Sequence, residues 1–293
     1  MTERSTLHAH LDPVTFVEAV RFTAASTGFG ARLVEKDYFC TLLLEQLAGV
    51  SGLVFKGGTC LAKVHARFYR LSEDLDFAIT IEADTSRGAR RSRVERLKTA
   101  LQDLERRQPA LRVVAPLSGR NLSTQYLATV AYASPLLGRD ETIKLEVALR
   151  EPLLVDPVTA GAATLLLDPF VHQPLVEIFP TTCIALPEAF AEKFRAALTR
   201  REPAIRDLFD LDWAVRSGVI QPDDAVLISL VRSKLTVPGN GAVDVSNARL
   251  GLLRGQLDAG LRPVLRPPDF AAFDLERAFT IVSDMAAKVS AER

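Results

Sequence analysis

The stretch Val54-Phe-Lys-Gly-Gly-Thr-Cys-Leu-Ala-Lys63, followed by Arg70-Leu-Ser-Glu-Asp-Leu-Asp-Phe77, contains the pattern that decides the fold. It opens within the short apolar run 52–55, which is too short for a helix and is typical of a buried strand. Two glycines and a threonine follow, and residues 61–66 can form a short helix. Over 74–81 polar and apolar residues alternate, which predicts a second strand. The order strand, glycine turn, helix, strand indicates that the first half of the chain builds a sheet.

Three carboxylates in this half are candidate metal ligands and catalytic groups. Asp74 and Asp76 lie two residues apart on the second predicted strand, so both carboxylates leave the same face. Adjacent like charges repel each other unless a cation neutralises them, and Mg²⁺ suits a site made only of oxygen atoms. In the predicted strand 141–149, alternation places Lys144 and Glu146 opposite the apolar residues. If that strand lies beside the strand of Asp76, Glu146 becomes the third carboxylate of a metal site.

The glycine turn between the first strand and the short helix is a candidate phosphate site. Gly57 and Gly58 let the backbone approach a phosphate closely, and the amides of the helix start and the Thr59 hydroxyl can donate hydrogen bonds. Lys56 and Lys63 can add positive charge beside the turn, although the backbone argument does not require either of them.

The pattern divides the chain into an α/β half and a helical half. Before the glycine turn we expect one helix that begins at Asp12-Pro13 and ends at Gly28, and a second that ends at Gly49. Beyond it, Asp84-Thr85-Ser86 can cap a basic helix over 87–107, and the three strands that follow are expected near 111–115, 123–133 and 141–149. Later helical spacing is found near 187–200, 203–217, 223–235, 245–257 and 270–289. We therefore predict an α/β domain with N-terminal helices over 1–155 and a mainly helical domain over 156–293.

Composition is that of a globular protein. The 293 residues are 48% hydrophobic and 25% charged, and no stretch approaches the roughly 20 apolar residues of a membrane-spanning helix. The polar N-terminus leads into no signal-peptide core, and Cys40, Cys60 and Cys183 are far apart, which favours reduced thiols in a cytoplasmic protein. His8 and His10 lie in a polar tail and His65 and His172 are isolated, so the histidines predict no metal cluster, and spacing supports no cysteine–histidine triad. The 36 basic and 36 acidic side chains cancel, so attraction to nucleic acid would have to come from a local patch such as 87–107.

The combined order of these motifs resembles the polymerase-beta-like nucleotidyltransferases, and most closely the AbiEii-type nucleotidyltransferase toxin family, which includes the mycobacterial MenT toxins. The two quoted stretches carry the resemblance, together with an upstream segment, Val34-Glu-Lys-Asp-Tyr38. Downstream, Ala191-Glu-Lys-Phe-Arg-Ala196 is similar to the helical lysine motif of the family, and Arg206-Asp-Leu-Phe-Asp-Leu211 to its second acidic motif. The resemblance covers about residues 34–217. It implies an α+β fold, in which a mixed sheet with flanking helices is followed by a helical C-terminal half.

The resemblance also implies a role for each matched residue. Asp74 and Asp76 would bind Mg²⁺ and the triphosphate, and Glu146 would lie next to the attacking hydroxyl. The turn residues Gly57, Gly58 and Thr59 would hold the triphosphate. Lys193 would neutralise phosphate charge, and Asp207 and Asp210, one helical turn apart, would shape the same site or orient Lys193. Arg70 and Ser72 would brace the loop before the paired acid.

The activity implied is Mg²⁺-dependent transfer of a nucleoside monophosphate from an NTP to a hydroxyl, with tRNA, particularly its 3′ end, as the favoured acceptor. Such a protein would be the toxin of a toxin–antitoxin system with a cognate antitoxin protein as partner and no membrane association. Two alternatives remain at this point. The same chemistry can modify a protein or a small molecule, and a degenerate fold can serve as a binding module without activity.

Overall fold

The computed structural model describes residues 8–82 and 85–291, and Asp84 of the predicted helix cap lies outside them. The chain divides into two compact units, Met1–Ile184 and Ala185–Arg293. The predicted boundary after residue 155 falls inside the first unit. The boundary lies later because two short strands beyond residue 155 complete the sheet of the first unit.

The N-terminal helices of unit 1 form where the sequence predicts them. Helix α1 (Pro13–Thr27) begins at Asp12, whose side chain accepts hydrogen bonds from the amides of Val14 and Thr15, at 3.1 and 3.3 Å. It ends at Gly28, which has a φ of +80°, a conformation that glycine adopts without strain. Helix α2 follows (Ala31–Leu47) and is buried along most of its length.

The described part of unit 1 contains one seven-stranded mixed sheet. The elements of the sheet and its crossovers are β1 (Leu53–Lys56), α3 (Gly57–Cys60), β2 (Leu75–Ile79), α4 (Arg87–Arg93), α5 (Glu95–Gln102), α6 (Leu104–Arg107), β3 (Arg112–Arg120), β4 (Gln125–Ser134), β5 (Arg139–Ala148), β6 (Val158–Ala162) and β7 (Phe179–Cys183). The strand order is β3-β4-β5-β2-β1-β7-β6, in which β2 lies between β1, which is antiparallel to it, and β5, which is parallel. Strand β1 also pairs in parallel with β7, and the remaining neighbours are antiparallel. A π-helical turn, Leu61–His65, continues α3.

The central strands have one apolar face and one mixed face. Phe55, Phe77 and Val147 are paired across β1, β2 and β5 and are almost completely buried. Burial of a side chain of this size contributes about 1.5–3 kcal/mol, so this face fixes the register of the three strands. The opposite face therefore presents the residues in between, among them Asp76 and Glu146.

Two details of unit 1 differ from the sequence expectation. The basic helix predicted over 87–107 is three short helices, α4 to α6, interrupted at Val94 and Asp103, and its apolar stripe of Val94, Leu97, Leu101 and Leu104 is buried. At its start the side chain of Ser86 accepts a hydrogen bond from the amide of Ala89 at 3.2 Å. The strands β6 and β7 were not predicted, because each has only five residues and they contain Gly161 and Pro180, which weaken the strand pattern.

Unit 2 is helical in the part that the structure describes, as predicted. Its helices are α7 (Leu186–Thr199), α8 (Ile205–Arg216), α9 (Ala225–Leu235), α10 (Asn247–Arg254), α11 (Pro267–Ala272) and α12 (Leu275–Ser290). Helix α7 packs against α8 and α9, and α12 packs against the same group. Across the described residues of both units, every helix is too short or too polar to cross a bilayer.

Candidate active site

The sheet brings Lys56, Asp76 and Glu146 into one row across three neighbouring strands. Asp76 of β2 is paired with Lys56 of β1 on one side and with Glu146 of β5 on the other. Neighbouring strands lie about 4.8 Å apart, and paired residues share a face, so the two carboxylates are adjacent. The sequence placed Glu146 beside Asp76 only on the condition that their strands pair. The parallel β2–β5 register meets that condition.

Asp74 lies in the loop directly before β2 and not on the strand, where the alternation had placed it on one face with Asp76. The strand begins one residue later, and the glycine turn holds the loop in place. The hydroxyl of Thr59 donates a hydrogen bond to the backbone carbonyl of Asp74. A hydroxyl has a single proton, so in this arrangement Thr59 does not donate to a phosphate, as the sequence had suggested. Its hydrogen bond ties the loop that carries Asp74 to the turn instead.

The two glycines of the turn are required by close packing against functional side chains. Gly57 has a φ of +76°, and a Cβ atom at this position would overlap the carboxylate of Asp76. A Cβ atom on Gly58 would overlap the guanidinium of Arg70. Arg70 is buried and donates to the carbonyl of Leu71 at 3.1 Å, so it braces the loop before the paired acid as its motif position implied. The turn and the acids thus form one packed unit.

Gln125 is a further site residue, and its position in the sequence gave no signal. Its side-chain amide donates to Oε1 of Glu146 at 2.8 Å. Strand β4 places Gln125 at the start of its pairing with β5, opposite Ala148. Because one oxygen of Glu146 accepts this bond, the orientation of the carboxylate is fixed.

Lys63 is placed differently from its predicted role. Its side chain is 1% exposed, and its ammonium donates to Oδ1 of Asp37 at 2.5 Å and to the hydroxyl of Thr41 at 2.6 Å. Its third contact is the backbone carbonyl of Asp37 at 3.0 Å. These three acceptors use the three protons of the ammonium, so Lys63 supports the helical segment behind the turn and does not contact a nucleotide in this arrangement.

Asp37, within the upstream segment Val34–Tyr38, is the counterion of this support. Its second oxygen, Oδ2, accepts from the hydroxyl of Thr164 at 3.0 Å and from the amide of Leu165 at 2.9 Å. Asp37 therefore joins α2, the turn after α3 and the segment after β6. The upstream segment could be recognised in the sequence, but its partners are more than 20 residues away and could not be read from spacing.

The donor set of the row and its loop fits a hard divalent cation. Asp74, Asp76 and Glu146 offer only carboxylate oxygens, which Mg²⁺ prefers, and the glycine turn leaves the space beside Asp76 that a side chain at residue 57 would fill. These residues would hold the ion that the family resemblance implies.

Within unit 2, the predicted lysine and acidic motifs meet as predicted. The ammonium of Lys193 in α7 lies 2.7 Å from Oδ1 of Asp207 and 2.9 Å from Oδ2 of Asp210, both in α8. Arg200 lies 3.1 Å from the other oxygen of Asp207. Both aspartates are buried, so the pairing fixes the direction of the Lys193 side chain.

The basic segment borders a polar pocket of about 330 Å³. Arg87, Arg91 and Lys98 line this pocket together with Tyr126 of β4. The Tyr126 hydroxyl is buried and has no hydrogen-bond partner among the described residues. Tyr126 is paired with Val147, so the pocket and the carboxylate row lie on opposite faces of the sheet.

A mixed sheet in which a strand–glycine turn–helix unit packs against a paired acid, with a third acid on the parallel neighbour, is the arrangement that the resemblance to nucleotidyltransferases implies. Residues 42–280 match the model of the family described as "Nucleotidyl transferase AbiEii toxin, Type IV TA system". The chain belongs to this family of toxins from type IV toxin–antitoxin systems. Membership makes the protein a nucleotidyltransferase with a nucleotide substrate and an antitoxin partner.

Two solved structures share the fold. One is described as a "putative nucleotidyltransferase" from H. pylori, with a TM-score of 0.52 and 17% sequence identity, over 90% of this chain and 97% of that chain. The other is JHP933 from Helicobacter pylori, with a TM-score of 0.50 and 19% identity, over 90% of this chain and 94% of that chain. At these identities the likeness shows the fold alone. No curated protein matches the sequence significantly.

Proposed function

We propose that this protein transfers a nucleoside monophosphate from an NTP to the 3′-terminal hydroxyl of tRNA in an Mg²⁺-dependent reaction in the cytoplasm, and that the modified tRNA no longer supports translation. The observation that carries the nucleotidyl transfer is the pairing of Asp76 with Glu146 beside the glycine turn. Membership of the toxin family supports a role that the cognate antitoxin restrains.

In the proposed reaction an oxygen lone pair of the acceptor hydroxyl attacks the α-phosphorus of the NTP. The new O–P bond forms as the bond from the α-phosphorus to the bridging oxygen breaks, and pyrophosphate leaves with that electron pair. Glu146, which Gln125 orients, takes the proton of the hydroxyl. Bound Mg²⁺ would supply charge neutralisation at the phosphates and would be held by Asp74 and Asp76, with Glu146 as the third acid of the site. The remaining contribution of the protein is to place donor and acceptor in line.

The other predicted residues have supporting roles in this proposal. The backbone of Gly57 and Gly58 approaches the triphosphate, and Lys56, at the end of β1 beside Asp76, adds positive charge. Within unit 2, Lys193 is oriented by its ion pairs with Asp207 and Asp210. Thr59 and Lys63 act indirectly, through the hydrogen bonds that hold the acid loop and the helical turn.

The exposed arginines of α4 and α5 support RNA as the acceptor class. Arg87, Arg91, Arg93 and Arg96 are exposed, and Arg87 and Arg91 border the polar pocket. Arginines bind phosphate oxygens in a bidentate way, so this surface suits an RNA backbone. Because the pocket lies on the face opposite the carboxylates, it would bind a part of the RNA distant from the reacting end.

The test combines purified protein, Mg²⁺, each α-³²P-labelled NTP in turn, and total bacterial tRNA. We expect label on the 3′ end of tRNA, lost in Asp76→Asn and in Glu146→Gln, which keep the size of the side chains. Asp140→Asn is the matched control, because Asp140 is an exposed acid on the same strand as Glu146. It should label tRNA like the unchanged protein.

Label on protein or on a small molecule of a cell lysate, with none on tRNA, would replace the acceptor and keep the chemistry. Label that persists in Asp76→Asn would remove the carboxylate row from the mechanism. No transfer from any NTP to any acceptor would favour a binding module.

A further inference from the structure

Three metal-binding side chains that the reaction does not use come together behind the glycine turn. One potential ligand atom each of Cys60, His65 and Cys183 lies within 4.8 Å of the other two. Nε2 of His65 is 3.9 Å from Sγ of Cys183. Both cysteines are completely buried, and His65 is half-buried.

The fold creates this cluster from segments far apart in the chain. Cys60 is the last residue of α3, His65 ends the π-helical turn, and Cys183 is the last residue of β7. The pairing of β7 with β1, through Cys183 opposite Phe55, brings the third ligand to the other two. Sequence spacing predicted no cysteine–histidine cluster because 123 residues separate the two cysteines (183 minus 60).

We propose that Cys60, His65 and Cys183 bind a thiophilic divalent cation, for which Zn²⁺ has the matching chemistry. Two sulfurs and one imidazole nitrogen are the ligand types of zinc sites and are poor ligands for Mg²⁺. With Zn–S near 2.3 Å and Zn–N near 2.0–2.1 Å, a tetrahedral site separates its ligand atoms by about 3.6–3.8 Å. The 3.9 Å between His65 and Cys183 already approaches this spacing.

Binding of an ion would change the protonation of the cluster. Nε2 of His65 lies 3.0 Å from the carbonyl oxygen of Ile184 and donates to it when protonated. The ligands of a divalent cation are thiolate sulfurs and a neutral imidazole, so binding releases the thiol protons and leaves the histidine proton on Nδ1.

Such an ion would fix the glycine turn from behind. Cys60 follows Thr59 directly, so a bond from its sulfur to an ion shared with Cys183 ties α3 to β7. The proposed site is separate from the carboxylate row in its ligands and in the ions it prefers.

Cobalt titration tests the proposal on the full chain after metal removal with a chelator, because Co²⁺ occupies zinc sites and gives thiolate-to-metal charge-transfer absorption. We expect this absorption to saturate at one equivalent and Zn²⁺ to abolish it. In Cys60→Ser and Cys183→Ser the affinity should fall by more than the roughly 10–100-fold that loss of an outer-shell partner costs. Circular dichroism of each variant checks that the fold is retained.

Two variants serve as controls. Cys40→Ser removes the buried thiol outside the cluster, and Asp76→Asn removes a carboxylate of the other site; both should keep the absorption. Absence of charge-transfer absorption in the unchanged chain, or its persistence in Cys183→Ser, would overturn the proposal. A Cys60–Cys183 disulfide in the freshly purified chain, detected as a loss of two hydrogens by mass spectrometry without bound metal, would also overturn it.

Discussion

Gly57→Ala separates the conformational role of the turn from its role at the active site. Gly52 and Gly57 both have positive φ, +81° and +76°, so an alanine at either position pays about 1–2 kcal/mol for a left-handed conformation. At Gly52 no atom of residues 8–82 or 85–291 lies within 4 Å of the added Cβ atom, whereas at Gly57 the added atom overlaps the Asp76 carboxylate. Both variants therefore have the same conformational cost of a left-handed alanine, and only Gly57→Ala also displaces Asp76.

We expect both variants to lower the urea midpoint, and Gly57→Ala to lower it more. The distinguishing result is the single-turnover rate of nucleotidyl transfer at saturating NTP. A displacement of about 1 Å at a catalytic group costs on the order of 10²-fold, so Gly57→Ala should lose about that factor while Gly52→Ala retains most of its rate. Equal rates in the two variants would refute the reasoning, because the contact with Asp76 would then have no catalytic consequence.

Three further outcomes follow from the buried and basic groups. Lys63→Met leaves Asp37 buried without its cation, so the free energy of unfolding, measured in urea, should fall by about 3–5 kcal/mol. Adding Asp37→Asn to this variant should restore part of that loss. A fall of less than about 1 kcal/mol would contradict the importance of the buried pair. The double variant Arg87→Glu with Arg91→Glu should weaken RNA binding, measured by filter binding over a range of salt concentrations. The steepness of log K against log salt should fall by roughly 0.7–0.9 for each phosphate that the variant no longer neutralises. An unchanged slope would show that this surface does not bind RNA. Burial raises the pKa of Glu35, so the folded chain holds this proton more tightly than the unfolded chain, and stability falls as pH rises from the ordinary carboxyl range through the raised pKa. Glu35→Gln should flatten that part of the stability–pH curve, and an unaltered curve would show that Glu35 does not titrate there.

The central strands could be predicted because the residue pattern that indicates each strand lies within the strand itself. Alternation around Asp76 and Glu146 assigns each carboxylate to a face, and a single pairing of β2 with β5 then makes them neighbours. The same argument found the strand before Gly57, since a short apolar run between turn signals leaves few other possibilities.

The roles of Lys63 and Thr59 could not be predicted, although both lie beside the glycine turn in sequence. The sequence shows that a side chain with hydrogen-bond donors lies near the turn, but it does not show which acceptor forms the hydrogen bond. Lys63 finds Asp37 of α2, and Thr59 finds the backbone of Asp74. Both acceptors are brought near by tertiary packing, which a one-dimensional pattern does not contain.

The reacting groups and the groups that hold them come from different parts of the sequence. The turn and its paired acids come from residues 57–76, a single short stretch, and Glu146 comes from β5. The supports of the turn come from α2 through Asp37 and from the segment after β6 through Thr164, and the support of Glu146 comes from β4 through Gln125. Substitution of a support such as Asp37 should therefore act mainly through stability, and substitution of Asp76 mainly through the rate. Parallel measurement of unfolding and single-turnover transfer distinguishes the two classes. Asp37→Asn should lower the urea midpoint more than the rate of the folded molecules, and Asp76→Asn should lower that rate more than the midpoint.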